Sequence, residues 1–440
     1  MLLEELPNEL LSKIFALVWV FRSQIPVYER RTYPEIRLVS RRFNELASPV
    51  VFANFRLHHP FVDIAPDPAI GPDADRRAVL RGCRTIVGPL VKRLTLETEA
   101  SYSDPPDLDL GPWFDAFHAF IPALTSVTSV RWYLALSSAE YPGNGYPPLG
   151  IEQLTTELAC LPFLRELTLD LSVIKQYPQD HFSLTPFSDL KNFSIVWNHT
   201  VRPHPRIVAE ISRVLHRSPG LEGFSFVIPW NFWRCKTFGS LVTMEELFDE
   251  MLSGTVHMRL KSFESRGVIV SGGGLQKHVR HFRYLERLRV RFDPSPSAAA
   301  NIGDVFRVLM IEGIYLKHIH IDLIHHPLVF DYLTSYSGVE SLALKPGHPQ
   351  DDNPQLLDRF FSSVLPSHCA SLKSLRLGGN FKTVWSQTLQ EHHLMQISRC
   401  TLLEYICCWI WIRPEDVAPK SSENLVTVFF ELNYSTSKLI

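Results

Sequence analysis

The sequence predicts an α/β solenoid with a parallel sheet on one side and helices on the other, preceded by a small all-α segment. Three observations support this fold class. A short apolar phrase, Φ-x-x-Φ-x-Φ with Φ an apolar residue, recurs along most of the chain. Segments with helical spacing separate its copies. Residues 1–57 show a different, purely helical period.

The phrase recurs about every 30 residues, which is typical of solenoid repeats. Its second position usually holds Lys or Glu. The five clearest copies begin at Leu190, Leu221, Leu285, Leu316 and Leu372. Weaker or variant copies begin at Val91, Leu124, Leu164, Leu260, Val339, Leu403 and Leu425. Together they predict about twelve repeats in residues 91–440.

Each copy predicts one strand, because alternate side chains of a strand share a face and the fourth and sixth positions then enter one core. The fourth positions are Leu94, Val127, Leu167, Phe193, Phe224, Phe263, Leu288, Ile319, Leu342, Leu375, Ile406 and Val428. A single unit cannot bury its apolar side, whereas stacked units bury it against one another.

The segments between the phrases predict helices. Ile207, Ile211 and Val214 follow one another at spacings of four and three, which places them on one helical face. Pro354 suits the first turn of a helix that carries Leu357. Each repeat is therefore predicted to contain one strand and one helix.

The N-terminal segment predicts two short helices with apolar faces. Pro7 can open the first, which carries Leu10 and Ile14, and Pro34 can open the second, which carries Val39. So small a unit makes a weak core alone. The helical stripes by themselves leave two interpretations open: a cap that seals the solenoid, or a docking unit for a partner protein.

Two resemblances to known families decide between them. LPNELLSKIF from Leu6 and LVSRRFNELASPVVFANFRL from Leu38 resemble the F-box, through a Leu-Pro with Glu two residues later and a Val-Ser followed by a basic pair and an aromatic residue. The strand-plus-helix repeats resemble the leucine-rich-repeat horseshoe. The resemblance implies an F-box-like helical domain at residues 1–57, a Pro-rich linker at 58–90, and an irregular solenoid at 91–440 with its sheet on the concave side and its helices on the convex side.

Proteins of this F-box type are adaptors, so the resemblance implies a function. The F-box docks onto a Skp-type subunit of a cullin-based ubiquitin ligase, and the repeats hold a target protein. By the same resemblance, the residues that contact the adaptor subunit are Leu6, Pro7, Leu10, Ile14 and Val39. A non-catalytic repeat scaffold that binds protein without recruiting a ligase is the alternative.

Strand alternation also predicts which side chains face a target. Positions three and five of each copy point away from the core, toward the concave side. In two neighbouring copies these candidate residues are Arg287, Arg289, Arg291, His318 and His320. Three arginines on one face can pair with carboxylates or phosphate. A solvated charged strand face without a partner is the other interpretation.

A late copy predicts a second candidate target surface. Tyr405, Cys407, Trp409 and Trp411 alternate onto one side of its strand. Clustered exposed aromatic residues are typical of protein interfaces. The C-terminal tail, residues 433–440, is an alternative cover for them, and the sequence leaves both interpretations open.

No catalytic, metal or cofactor site is predicted, so we expect a protein that is not an enzyme. His318, His320 and Asp322 alternate like metal ligands but lack a fourth ligand nearby in the sequence. The doublet of His392 and His393 falls in a predicted loop. The run of three glycines from residue 272 lacks the Lys of a phosphate-binding motif and predicts a turn.

Composition narrows the classes of partner and the location. A net charge of −2 and a pI near 6.8 predict no general affinity for nucleic acid. The densest late apolar run, residues 406–412, is too short to span a membrane. The N-terminus lacks the features of a secretory signal. The seven cysteines show no disulfide framework, so we expect reduced thiols and a cytoplasmic or nuclear protein.

Overall fold

Parallel strands and helices build two α/β units in the described part of the chain, Met1–His199 and Thr200–Ile440. The computed structural model describes residues 7–8, 10–11, 13, 45–46, 48–49, 52–58, 87–99, 118–135, 151–171, 183–197, 202–228, 242–251, 257–291, 296–322, 326–345, 353–378, 391–408 and 429–430. Both units are built around parallel strands that the apolar phrases supply.

The first unit contains five parallel strands that neighbour one another in chain order. They are β1 (Asn54–His58), β2 (Arg93–Glu99), β3 (Ser129–Ala135), β4 (Glu166–Leu171) and β5 (Asn192–Trp197). Their register aligns Leu94, Val130, Leu167 and Phe193 in one buried row. Helix α1 (Ile151–Ala159) connects β3 to β4 and buries Leu158.

The second unit contains seven parallel strands and a final antiparallel one. They are β6 (Gly223–Val227), β8 (Ser262–Arg266), β10 (Arg287–Arg291), β11 (His318–Asp322), β12 (Ser341–Lys345), β13 (Ser374–Leu377), β14 (Tyr405–Cys408) and the antiparallel β15 (Phe429–Phe430). Two further short strands, β7 (Val242–Thr243) and β9 (Val268–Ile269), pair in a separate parallel ribbon.

Helices connect most of these strands. They are α2 (Pro205–Arg217), α3 (Met244–Leu247), α4 (Gly272–His278), α5 (Pro296–Ile311), α6 (Pro327–Thr334), α7 (Pro354–Arg359), α8 (Leu365–His368) and α9 (Glu391–Ser398). A π-helical turn, Phe360–Val364, joins α7 to α8. Helix α5 packs against both α4 and α6, so neighbouring repeats also stack through their helices.

Local sequence signals set where several helices begin. Proline occupies the first turn of α2, α6 and α7, where the missing N–H has no helical partner to lose. Thr243 and Glu246 form a reciprocal capping box at α3. The Ser271 hydroxyl accepts a hydrogen bond from the Gly274 N–H at 2.8 Å and caps α4.

The predicted α/β fold with a parallel sheet is confirmed in both units, and in the second unit a helix precedes every strand of the parallel ladder. Ten of the twelve predicted fourth positions lie in parallel strands, in register with one another within each unit. The predicted faces of α2 and α7 are confirmed as well, since Ile207, Ile211, Val214 and Leu357 are all buried. The horseshoe shape and the F-box domain remain predictions.

Two predicted copies are wrong. The copy beginning at Leu124 is shifted by three residues, because Val130 rather than Val127 aligns with Leu94 and Leu167. The copy beginning at Leu425 does not extend the parallel ladder, because Phe430 pairs antiparallel with Ile406.

Three other expectations also differ from the structure. Strand β1 lies at the end of the segment predicted to be helical, so the ladder begins at Asn54 rather than at residue 91. The glycine run forms the first turn of α4, where a Cβ on Gly272 would lie 2.5 Å from the Asp304 Cβ of α5. Small residues there permit close helix packing. His392 and His393 lie in α9 and not in a loop.

A ladder of alternating charge explains why Lys or Glu fills the second position of the phrase. In the second unit these residues are Glu222, Lys261, Glu286, Lys317, Glu340, Lys373 and Glu404, one per strand of the parallel ladder. The Nζ atoms of three lysines lie 2.7–3.0 Å from a carboxylate oxygen of the preceding repeat. Glu340 and then Glu404 raise the pKa of Lys373, as expected for a charge held between two opposite ones.

Helix side chains satisfy backbone groups that lead into the strands. The Tyr332 hydroxyl donates to the Ile314 carbonyl at 2.7 Å and accepts from the Leu316 N–H at 3.0 Å. His368 Nδ1 accepts from the Val339 N–H at 3.4 Å. A buried backbone N–H without a partner is costly, so these side chains help to fix the turn that precedes each strand.

Candidate protein-binding face

The side chains at positions three, five and seven of the phrases form the outward face of the second unit's sheet. They alternate with the buried fourth and sixth positions. The register places Arg287 beside His318, Arg289 beside His320, and Arg291 beside Asp322. The structure therefore brings the predicted arginines and histidines together on two neighbouring strands. Their role in binding a target stays a prediction.

Carboxylates partly neutralise this face. The Glu264 carboxylate of β8 forms two ion pairs. One is with the Arg289 Nε at 3.3 Å, and the other is with a terminal nitrogen of Arg266 at 3.0 Å. Asp322 lies 3.1 Å from His320 Nε2 and 3.5 Å from Lys345 Nζ. The predicted patch therefore contains both cations and carboxylates, and several of its cations are paired.

Positive charge still predominates across β8 to β13. Among the side chains that the structure describes, the outward positions there carry five cations, Arg266, Arg287, Arg289, Lys345 and Arg376, against the two carboxylates of Glu264 and Asp322. Among the residues that the structure describes, the exposed Arg287 makes no ion pair. Burial, and then the Arg287 guanidinium, lower the pKa of His318, so this imidazole is neutral at pH 7.

Sequence reasoning missed Arg266, Lys345 and Arg376 as members of this face. It considered the two richest copies alone, although the same alternation applies to every strand of the ladder. The copy beginning at Leu260 shows the pattern least well because its sixth position is the buried Ser265. Extending the alternation to each neighbouring copy would have found all three cations.

Tyr405 continues the same face on β14. An Arg376 terminal nitrogen donates to the Tyr405 hydroxyl at 3.2 Å, and the guanidinium lies 5.7 Å from the centre of the ring. Cys407 is buried and pairs in register with Phe429 of β15, so it offers no exposed surface. Trp409 and Trp411 lie outside the described residues, so the predicted aromatic cluster and the covering tail both stay predictions.

Two of the predicted adaptor contacts lie in the described part of the N-terminal segment. The N–H groups of Leu10 and Leu11 both donate to the Pro7 carbonyl at 3.1 Å, as in a helix that begins at Pro7. Pro7 is exposed and Leu10 is 47% exposed, whereas Leu11 is fully buried. Leu6, Ile14 and Val39 lie outside the described residues.

One cluster on the helices resembles a metal site by composition. Donor atoms of Asp358, His392 and His393 lie within 4.8 Å of one another. His393 Nε2 lies 3.8 Å from Asp358 Oδ1. Three such donors are one fewer than the four ligands of a structural zinc site, and the prediction that the chain binds no metal stays untested.

A buried histidine pair lies apart from the outward face. His278 and His281 are both fully buried against Phe248. Burial is the largest cause that lowers each pKa to about 4, followed by Lys277 for His278 and by Arg280 for His281. Both imidazoles are therefore neutral at pH 7 and act as part of the core.

No family model matches the chain, and no curated protein matches it either. Within the described ranges, no helix combines the length and the apolar composition that a membrane crossing requires.

Proposed function

We propose that the chain is a substrate-recognition adaptor of a Skp–cullin–F-box ubiquitin ligase, working in the cytoplasm or the nucleus. The N-terminal helix would bind the Skp-type subunit, and the outward face of the repeats would bind a target protein. The observation that carries the proposal is the exposed Leu10 beside the buried Leu11. Leu11 buries one face of that helix in the protein, and Leu10 on the adjacent face is available to contact a partner.

A second line of support is the outward face of the second unit. Its cations exceed its carboxylates, and Arg287 and Arg289 lie at adjacent outward positions of one strand. Such a surface complements an acidic or phosphorylated segment of a protein. The proposal needs no catalytic group in this chain, because the ligase supplies the chemistry.

The scaffold without a ligase remains the second candidate, and one observation favours it. Strand β1 pairs with β2 along its whole length, so the end of the N-terminal segment is part of the repeat sheet. A segment so joined to the first repeat also suits a cap that seals the solenoid.

Replacing Leu10 with Asp separates the two candidates. We expect Leu10→Asp to abolish copurification of the Skp-type subunit, because a carboxylate cannot enter an apolar interface without a large desolvation cost. Lys13→Asp on the same helix is the matched control, since Lys13 is exposed and polar already. Equal recovery of the subunit with the parent and with Leu10→Asp would support the scaffold.

Reversing charge on the outward face tests target binding. We expect the double change Arg287→Glu and Arg289→Glu to lower capture of target proteins by about tenfold or more, because two cations that would pair with an acidic target become carboxylates that repel it. Proximity labelling in cells measures the captured set. The control is Arg307→Glu on α5, which reverses one exposed charge on a helix instead of on the sheet. An unchanged set of labelled proteins would exclude this face.

A further inference from the structure

Two cysteines meet where consecutive repeats stack. Cys369 follows α8 and Cys400 follows α9, and their Sγ atoms are 3.2 Å apart. Each lies three residues before a phrase, Cys369 before Leu372 and Cys400 before Leu403. They therefore occupy the same position in neighbouring repeats, and stacking brings them together. Both are free thiols.

We propose that Cys369 and Cys400 form a redox-modification site, in which a peroxide converts the two thiols to a disulfide that joins the repeats. Bond formation requires the sulfur atoms to approach from 3.2 Å to about 2.05 Å. Shared between two side chains, that movement is roughly 0.6 Å each, which is within the range of small rotations about χ1.

The environments of the two thiols assign them different roles. Cys369 is half-exposed and can meet a peroxide from solvent, whereas Cys400 is buried. Burial, and then the neighbouring Cys369, raise the pKa of Cys400 to about 12. Cys400 therefore stays a thiol until its partner has reacted, and Cys369 reacts first.

The reaction balances with hydrogen peroxide as the oxidant. The Cys369 thiol loses its proton and the thiolate attacks one peroxide oxygen. The O–O bond breaks, and the hydroxide that leaves takes up that proton, so a sulfenic acid and one water form. The Cys400 sulfur then attacks the sulfenic sulfur. The S–O bond breaks, and the hydroxide that leaves takes the Cys400 proton as a second water. Overall, two thiols and one hydrogen peroxide give one disulfide and two waters.

The bridge would restrict local opening of the last described repeats. It closes a loop of 31 residues that includes the whole of α9. A cross-link reduces the freedom of the open state, so α9 would open more rarely. This consequence is independent of the proposed ligase function, because it concerns only the stacking of two repeats.

Peroxide treatment of the full chain tests the proposal. The thiols that remain are then alkylated. After the mass of the alkyl groups is subtracted, we expect the treated chain to be about 2 Da lighter than the reduced chain, because a disulfide lacks two hydrogen atoms. We also expect a cross-linked peptide that joins Cys369 to Cys400. We also expect amide exchange in α9 to slow by about tenfold or more, with recovery after dithiothreitol. Cys369→Ser should abolish both effects. Cys160→Ser, which removes an exposed thiol elsewhere, should leave both unchanged.

Two results would overturn the proposal. One is sulfinic or sulfonic acid on Cys369 while Cys400 remains alkylatable, which would mean that the second step does not occur. The other is the same mass loss and the same slowing of amide exchange in Cys369→Ser, which would mean that a different pair of thiols forms the bridge. The first result is measured on the parent chain. The second is measured on Cys369→Ser, which changes a half-exposed residue and leaves the core intact.

Discussion

Acidification from pH 7.5 to pH 5 is expected to destabilise the second unit by about 4 kcal/mol. His278 and His281 have a pKa of about 4 in the folded chain and about 6.5 when unfolded. The unfolded chain therefore binds protons first as the pH falls, and each histidine contributes about 2 kcal/mol of loss at pH 5. Their contribution to stability is fully present above pH 6.5 and is lost progressively between pH 6.5 and 4.

Urea unfolding at the two pH values measures this loss, and one substitution assigns it. Neither ring nitrogen of His278 has a hydrogen-bond partner among the described residues. His278→Phe keeps an aromatic ring beside Phe248 and removes the titrating group, so about 2 kcal/mol of the pH dependence should disappear. The control is His392→Gln, at an exposed position of α9. An identical pH dependence in the parent and in His278→Phe would contradict the assignment.

Phe248→Ala is expected to lower the free energy of unfolding by about 4 kcal/mol. Phe248 is fully buried and lies at the centre of an aromatic cluster. Its ring centre is 5.5 Å from those of both Phe282 and His278 and 6.1 Å from that of Phe224. Truncation removes these contacts and leaves a cavity beside two repeats.

Chemical denaturation at pH 7.5 measures the effect of Phe248→Ala. Ile311→Ala is the matched control, because Ile311 is 69% exposed at the end of α5 and its truncation should change stability by less than about 0.5 kcal/mol. The same cavity would admit water to His278 and so reduce the pH dependence described above. A loss no greater than that of the control would show that the cluster is not part of the core.

Most strands could be predicted from the sequence because the fourth and sixth positions of each phrase are buried. These positions must be apolar, so the same pattern recurs in every repeat. The copy at Leu124 does not fit this pattern even in the sequence, because its sixth position is the polar Ser129. A copy that begins at Val127 does fit, with Val130 at its fourth position and Trp132 at its sixth. Likewise, Phe52 begins a full copy that ends at Leu57 and forms β1.

Other features depend on contacts between different repeats, which the sequence of a single repeat does not determine. The phrase does not encode the direction of a strand, so it could not predict that β15 pairs antiparallel with β14. The pair of Glu264 and Arg289 needs the register between two strands. For Cys369 and Cys400 a signal existed, because the two residues lie one period apart at the same place in the repeat.

The alternating second positions impose a parity rule on the length of the array. Excising the repeat that contains Lys317 would set Glu286 beside Glu340, so two carboxylates would face each other at the new junction. Excising the next repeat as well would set Glu286 beside Lys373 and restore attraction. Shortening or lengthening of this array should therefore be tolerated better in pairs of repeats than one at a time.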